Sequence, residues 1–181
     1  MNTVSHSLSS SPLDGLDDNI FKPLNLPTFS PRLRQSKDHV TIFDPLRNRH
    51  VKLTPEEWVR QHFVHFLIEY LHYPASLMGN EVSLKLNGMS RRCDTVVYDR
   101  HLTPCMIIEY KRPDVALTQK VFDQISRYNM TMHVNYLIVS NGFEHYCCRM
   151  DYEHKTYHFV PQLPSYDACT SSPEKRHAPD E

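Results

Sequence analysis

The chain has 181 residues, which suits one domain with a real core and extra segments at its ends. Apolar residues make up 40% and charged residues 23%, which excludes a wholly disordered chain. The formal net charge is -1, so contact with an acidic polymer has to come from a local patch and not from bulk charge. The five cysteines (Cys93, Cys105, Cys147, Cys148, Cys169) are odd in number, and two are adjacent. Most sit in apolar stretches where a thiol packs as a small hydrophobe, so no disulfide framework is expected. The opening MNTVSHSLSSSPLDG lacks a basic segment followed by an apolar run, and no apolar stretch reaches bilayer length. A cytoplasmic location away from membranes is the expectation.

Residues 1–36 are rich in Ser, Pro, Asn and Leu without a sustained period, and read as a flexible N-terminal arm that either trails or lies along the domain. Residues 37–163 form one unit. Residues 164–181 read as a disordered C-terminal tail. Within the unit, a short strand at Val40–Phe43 and the turn DPLRNRH lead to a marked helix start: Thr54 caps, Pro55 takes the first helical position, and Glu57 completes a T-x-x-E capping box. The helix EEWVRQHFVHFLIEYLH repeats Val59, Phe63, Phe66, Leu67 and Tyr70 on one face, and Tyr73-Pro74 ends it. Trp58 reads as core against the sheet.

EVSLKLN then alternates, with Val82, Leu84 and Leu86 opposite Glu81, Ser83 and Lys85, before an Asn87-Gly88 hairpin turn. RRCDTVVYD and CMIIEYK complete a three-strand meander. LTQKVFDQISRYNMTM reads as a second helix capped by Thr118, with Val121, Ile125 and Tyr128 on one face. The apolar run VNYLIVS reads as a buried strand in parallel pairing after the helical crossover. Asn141-Gly142 turns into FEHYCCRMD, and TYHFVP adds another strand. The fold class is therefore α/β with a mixed sheet, ordered α-β-β-β-α-β with extra edge strands.

One constellation carries chemistry. Asp94 lies inside a strand, between Cys93 and the run Thr95–Val97, and E-Y-K ends the next strand. Alternation puts Glu109 and Lys111 on one face, about 6–7 Å apart along the strand. A hairpin across DRHLTP sets Asp94 roughly opposite them. Converging carboxylates are costly unless a cation neutralises them, and hard oxygen donors suit Mg²⁺ or Mn²⁺. The Tyr110 carbonyl is a further candidate ligand, and Lys111 a candidate to orient the attacking water and stabilise a phosphoryl transition state. The bland alternative is a strand-edge acid and an exposed pair after a core strand. Gln124 and Tyr128 stand four apart on the second helix, hence on one face.

From Glu56 to about Asp151 the chain resembles the N-terminal nuclease domain of type I restriction enzyme R subunits, in a short stand-alone form. The matching residues run SRRCDTVVYDRHLTPCMIIEYKRPDVALTQKVFDQISRYN and YLIVSNGFEHYCCRMD. The resemblance implies a PD-(D/E)xK fold with Asp94 and Glu109 as metal ligands and Lys111 as catalytic lysine. It also implies a Q-x-x-x-Y element, matched by Gln124 and Tyr128, that braces the site and touches DNA. An acid of the first helix often joins such sites. Glu57 matches best, with its capping role as an equal alternative and Glu81 as a weaker rival. No P-loop is present and nothing matches the helicase motor, so ATP-driven translocation is not implied.

Lys85, Arg91, Arg92, Arg112, Lys120 and Arg127 cluster near the proposed site, either as phosphate contacts or as a solvated mixed face that Asp99, Asp114 and Asp123 dilute. His145, Cys147, Cys148 and His154 lack zinc-site spacing, and adjacent strand cysteines face opposite ways. The leading expectation is a Mg²⁺- or Mn²⁺-dependent endonuclease acting on DNA. The alternatives are a non-catalytic nucleic-acid-binding or assembly module on a retained nuclease fold, or action on RNA. Whether the chain forms a homodimer is left open.

Overall fold

The structure, a computed structural model, describes residues 22–86, 89–129 and 133–171; the side chains of residues 84–86, 89, 91, 124, 127 and 128 also fall outside the description. The first sheet is small and antiparallel, built from β1 (Leu33–Gln35), β2 (Val40–Asp44) and β3 (Arg49–Lys52) in that order. Val40 and Ile42 on β2 enter a core with Leu53 and Trp58. The segment expected only as a turn supplies β3 in its second half. Asp44 makes this return possible by accepting the backbone N–H groups of Leu46 (2.8 Å) and Arg47 (3.1 Å), and Asn48 takes a left-handed φ of 48°.

Helix α1 (Pro55–Glu69) starts as expected, with Thr54 Oγ accepting the Glu57 N–H at 3.1 Å. It ends three residues earlier than its pattern suggests, and Tyr70, expected on the apolar face, is 54% exposed. The helix is buried on opposite sides because two sheets contact it. Val59, Phe63 and Leu67 pack with Met106, Ile108 and Ile138, whereas Trp58 packs on the small sheet.

After a 3-10 turn at Ala75–Leu77 come β4 (Met78–Leu86), β5 (Met89–Tyr98), β6 (Pro104–Tyr110), α2 (Gln119–Asn129), β7 (Tyr136–Ser140), β8 (His145–Asp151) and β9 (Thr156–Val160). They make a six-stranded sheet in chain order, parallel between β6 and β7 and antiparallel elsewhere. The α2 crossover produces the one parallel pair among the described strands. β7 is buried along its whole length. Ile138 faces the α1 side and Leu137 and Val139 the α2 side, so both faces are covered. Cys147 and Cys148 fall into these two opposite clusters, as strand alternation requires. The domain is thus mixed α/β with a mixed sheet. The Asn87-Gly88 turn lies outside the described residues. On β4, the alternation breaks at Glu81, whose φ is 57°.

The described parts of the two expected end segments, residues 22–36 and 164–171, make specific contacts with the domain. Asn25 N–H donates to the Gly142 carbonyl at 2.8 Å, and Leu24 packs over Gly142. Gly142 has a φ of 89°, the left-handed region that favours glycine, and a Cβ there would also displace the end of the Leu24 side chain, 2.8 Å away. Residues 164–171, expected in a tail, contain α3 (Tyr166–Thr170). Ser165 caps it, the Tyr166 hydroxyl donates to the Tyr98 carbonyl at 3.0 Å, and Cys169 is fully buried with its Sγ 3.2 Å from that of Cys105. Tyr166 and Cys169, three apart, give this short helix an apolar edge.

Candidate active site

The β5–β6 ladder pairs Thr95 with Ile108, and Asp94 and Glu109 follow where that pairing ends. Asp94 turns its carboxylate onto β6, where Oδ2 accepts the backbone N–H of Tyr110 at 2.8 Å. That bond fixes an acid against the E-Y-K segment. Glu109 is 8% exposed at the end of β6, and the Lys111 N–H donates to the Ser140 carbonyl at 2.8 Å, which holds the segment on β7 as well. Tyr110 points the other way, fully buried among the α1-side residues, with its hydroxyl donating to Thr95 Oγ at 3.2 Å.

Behind Asp94 lies a polar network that sequence reasoning missed. Arg60 of α1 is 3% exposed and binds Glu57 at 2.8 Å, Glu81 at 2.8 Å and Asp94 at 3.2 Å. Glu57 also accepts from Arg47 at 2.7 Å and Gln61 at 2.8 Å. Arg47 pairs with Asp44, and Asp44 accepts from Asn80 at 2.8 Å. Thr95 Oγ closes the path by donating to Asn80 Oδ1 at 2.6 Å. The small sheet, α1 and the site strands are therefore joined by one chain of charge-assisted bonds. The available signal was the spacing of Glu57, Arg60 and Gln61 at i, i+3 and i+4 on a helix whose other side is apolar.

These contacts set the local electrostatics. Burial works against ionisation of Asp44, but bonds from Asn80 and Arg47 outweigh it and hold the carboxyl below its ordinary range. Burial also disfavours the Arg60 charge, which Glu57, Asp94 and Glu81 more than restore. Glu56 is pushed up by partial burial and then by the charge of Asp94, with Lys111 and Arg60 opposing and Glu81 reinforcing. Glu56, which the sequence did not single out, is an α1 acid that senses Asp94 and Lys111. The Glu57 carboxylate is taken up by Arg47, Arg60 and Gln61 instead.

The expected basic contacts divide. Arg92 is exposed and pairs with Glu81, and Arg112 makes two 3.0 Å bonds to Asp114. Lys120 is exposed at the start of α2. Arg91 lies on β5 and Gln124, Arg127 and Tyr128 on α2, but their side chains are outside the described residues. Among the described residues, no group of three or more His, Cys, Asp or Glu is arranged to hold a metal ion.

The fold is a mixed α/β domain in which Asp94 is bonded to the backbone of the E-Y-K segment on the neighbouring strand. Residues 55–164 match the family described as type I restriction enzyme R protein N terminus, and the chain belongs to that family. Membership points to a restriction-enzyme nuclease domain. The small sheet β1–β3 lies outside the matched residues. The curated proteins searched contain no match to the chain. No described helix is long and apolar enough to cross a membrane.

Proposed function

We propose that the domain is a PD-(D/E)xK-type endonuclease that hydrolyses DNA phosphodiester bonds with Mg²⁺ or Mn²⁺. The observation that carries the reading is the Tyr110 N–H to Asp94 bond of 2.8 Å, which sets an aspartate beside the segment containing Glu109 and Lys111. The donor chemistry fits the metal. Mg²⁺ binds through one or two carboxylates, leaving other positions to water and substrate phosphate, so a third protein carboxylate is unnecessary. Partial burial first, and then the charge of Asp94, disfavour the Glu56 carboxylate against the opposing charges of Lys111 and Arg60, and a nearby divalent cation would relieve both.

Asp94 and Glu109, with the Tyr110 carbonyl, would hold the ion, with Glu56 beside them. When bound, it supplies Lewis-acid polarisation of the scissile phosphate and neutralises developing charge. Lys111 Nζ donates to the attacking water, orients it, and stabilises charge accumulating on the phosphoryl oxygens. Arg60 positions Asp94 from behind. Gln124 and Tyr128 brace the site from α2, and Arg91, Arg92, Arg112, Lys120 and Arg127 contact backbone phosphates, Arg92 and Arg112 by exchanging their carboxylate partners.

The test is a cleavage screen of duplex, single-stranded and branched DNA and of RNA, with Mg²⁺ and Mn²⁺, beside calorimetric titration of Mn²⁺. DNA cleavage with Mn²⁺ binding supports the reading. Cleavage confined to RNA moves the substrate class. Salt-sensitive DNA binding with neither cleavage nor metal binding points to a non-catalytic module.

A further inference from the structure

We infer that the outer side of the small sheet β1–β3 is a second nucleic-acid contact surface, a phosphate-binding cleft formed by Arg32, Arg34 and Arg49 around Phe43. This deepens the nuclease reading and rests on it for the choice of DNA as partner. Residues 22–54 hold seven Lys and Arg against two Asp, a local net charge of +5 in a chain whose total is -1. The register puts Arg32, Arg34 and Lys52 on one face with Phe43 and His50, while Arg49, opposite Asp44 in the alternate row, lines the same cleft from the start of β3. Arg34 lies opposite Thr41, which lies opposite Lys52, and Phe43 lies opposite His50. The Arg32 carbonyl accepts the Phe43 N–H at 2.9 Å, so Arg32 continues the second row. The other face, with Val40, Ile42 and Val51, packs on Leu53 and Trp58.

A cleft of about 540 Å³ opens on this face, lined by Arg32, Leu33, Arg34, Phe43, Asn48, Arg49 and His50. Its lining contains no carboxylate. The two acids of the segment lie elsewhere: Asp44 is fully buried and paired with Arg47, and Asp38 is in the β1–β2 turn. The Arg32 guanidinium stacks 3.5 Å over the Phe43 ring, which uses its planar face and leaves its N–H edges to anionic oxygens. Partial burial, then the charges of Arg34 and Arg32, lower the pKa of His50, so Arg and Lys carry the positive field at neutral pH.

Three arginines around a cleft suit discrete phosphate oxygens, which their forked donors match, better than a flat lipid surface, which favours lysines and protruding apolar anchors. The Asp44–Asn80–Thr95 bonds hold this sheet to the strand that carries Asp94, so phosphates bound here keep a fixed relation to the site. That fixed relation explains how a chain of net charge -1 could engage DNA at all.

The full chain, in EDTA so that no hydrolysis occurs, is titrated into a fluorescent duplex by anisotropy at several salt concentrations, beside phosphatidylserine vesicles. Each phosphate contact contributes about 0.9 to the slope of log affinity against log salt. Arg32→Ala/Arg34→Ala/Arg49→Ala should therefore reduce the slope by roughly 2.7 and weaken binding roughly a hundredfold near 0.15 M salt. The single Arg34→Ala, at an exposed position of β1, should cost about fivefold and about 0.9 in slope. Unchanged affinity and slope overturn the inference, as does a wild type that binds vesicles but not duplex. If wild type shows neither cleavage nor Mn²⁺ binding while the variants still lose duplex affinity, the nuclease reading falls and this surface stands.

Discussion

Replacing Arg60 with methionine tests how α1 is joined to the site strands. Methionine retains much of the unbranched stem, so the main loss is a charge held at 3% exposure between three carboxylates. Removing one side of a buried ion pair typically costs about 3–5 kcal/mol, because the partner charge stays behind. Glu57, at 8% side-chain exposure, meets that condition, although Arg47 still compensates part of its charge. Glu81 and Asp94, each at 19%, are more screened, and each adds less than about 1 kcal/mol. The sum is about 3 kcal/mol. With a urea m-value near 2 kcal/mol/M for a domain of this size, the midpoint should fall by about 1.5 M. Urea titration followed by circular dichroism at pH 7 and low salt reads this directly. A fall of less than about 0.3 M at unchanged m would show that the network is not a structural joint, and the reasoning from burial would be refuted.

Three further outcomes follow from the same packing. Thr95→Val keeps the shape but removes the donor to Asn80 and the acceptor for Tyr110, so thermal denaturation should show a loss of about 1–3 kcal/mol; a neutral result contradicts the burial of those groups. For Asp44, the folded pKa lies below the ordinary value, so its stabilisation is present above that value and is lost as pH falls through the folded pKa. Asp44→Asn should therefore be less stable than wild type near pH 7, and the gap in Tm should narrow below the ordinary value of 3.8; a gap that does not change with pH contradicts this. All five thiols are buried, and burial pushes those of Cys147 and Cys148 up to about 12. A thiol reagent should label them slowly in the native protein and fully only in denaturant, so rapid native labelling of five equivalents would contradict the packing.

The large sheet was legible because its strands carry strong periodic signals. β7 is an unbroken apolar run, and α1 opens on a capping residue followed by proline. The closeness of Asp94 to the E-Y-K segment was legible for a similar reason, since a hairpin across DRHLTP brings the two strands together. The small sheet was less so: β3, RHVK, holds one apolar residue in four, and its strand identity comes from pairing with β2 across the turn fixed by Asp44. Composition likewise hid α3, because two apolar contacts in five residues are a tertiary signal. Glu57 is put forward as the α1 acid because the resemblance implies one there, with its capping-box role as an equal alternative. The partners that occupy it, Arg47 ten residues upstream and Arg60 one turn on, become visible only when β3 and α1 come together. Glu56 then remains as the acid coupled to Asp94.

The central claim is that Asp94, Glu109 and Lys111 form a metal-dependent phosphodiesterase site. Its most direct test is a single-turnover time course of DNA cleavage in Mn²⁺ by wild type, Lys111→Ala and Asp94→Asn, with Mn²⁺ affinity measured on the same samples. The account predicts cleavage by wild type, loss of at least about a hundredfold in rate for Lys111→Ala with Mn²⁺ binding retained, and loss of both for Asp94→Asn. Cleavage that persists at the wild-type rate in both variants would contradict it.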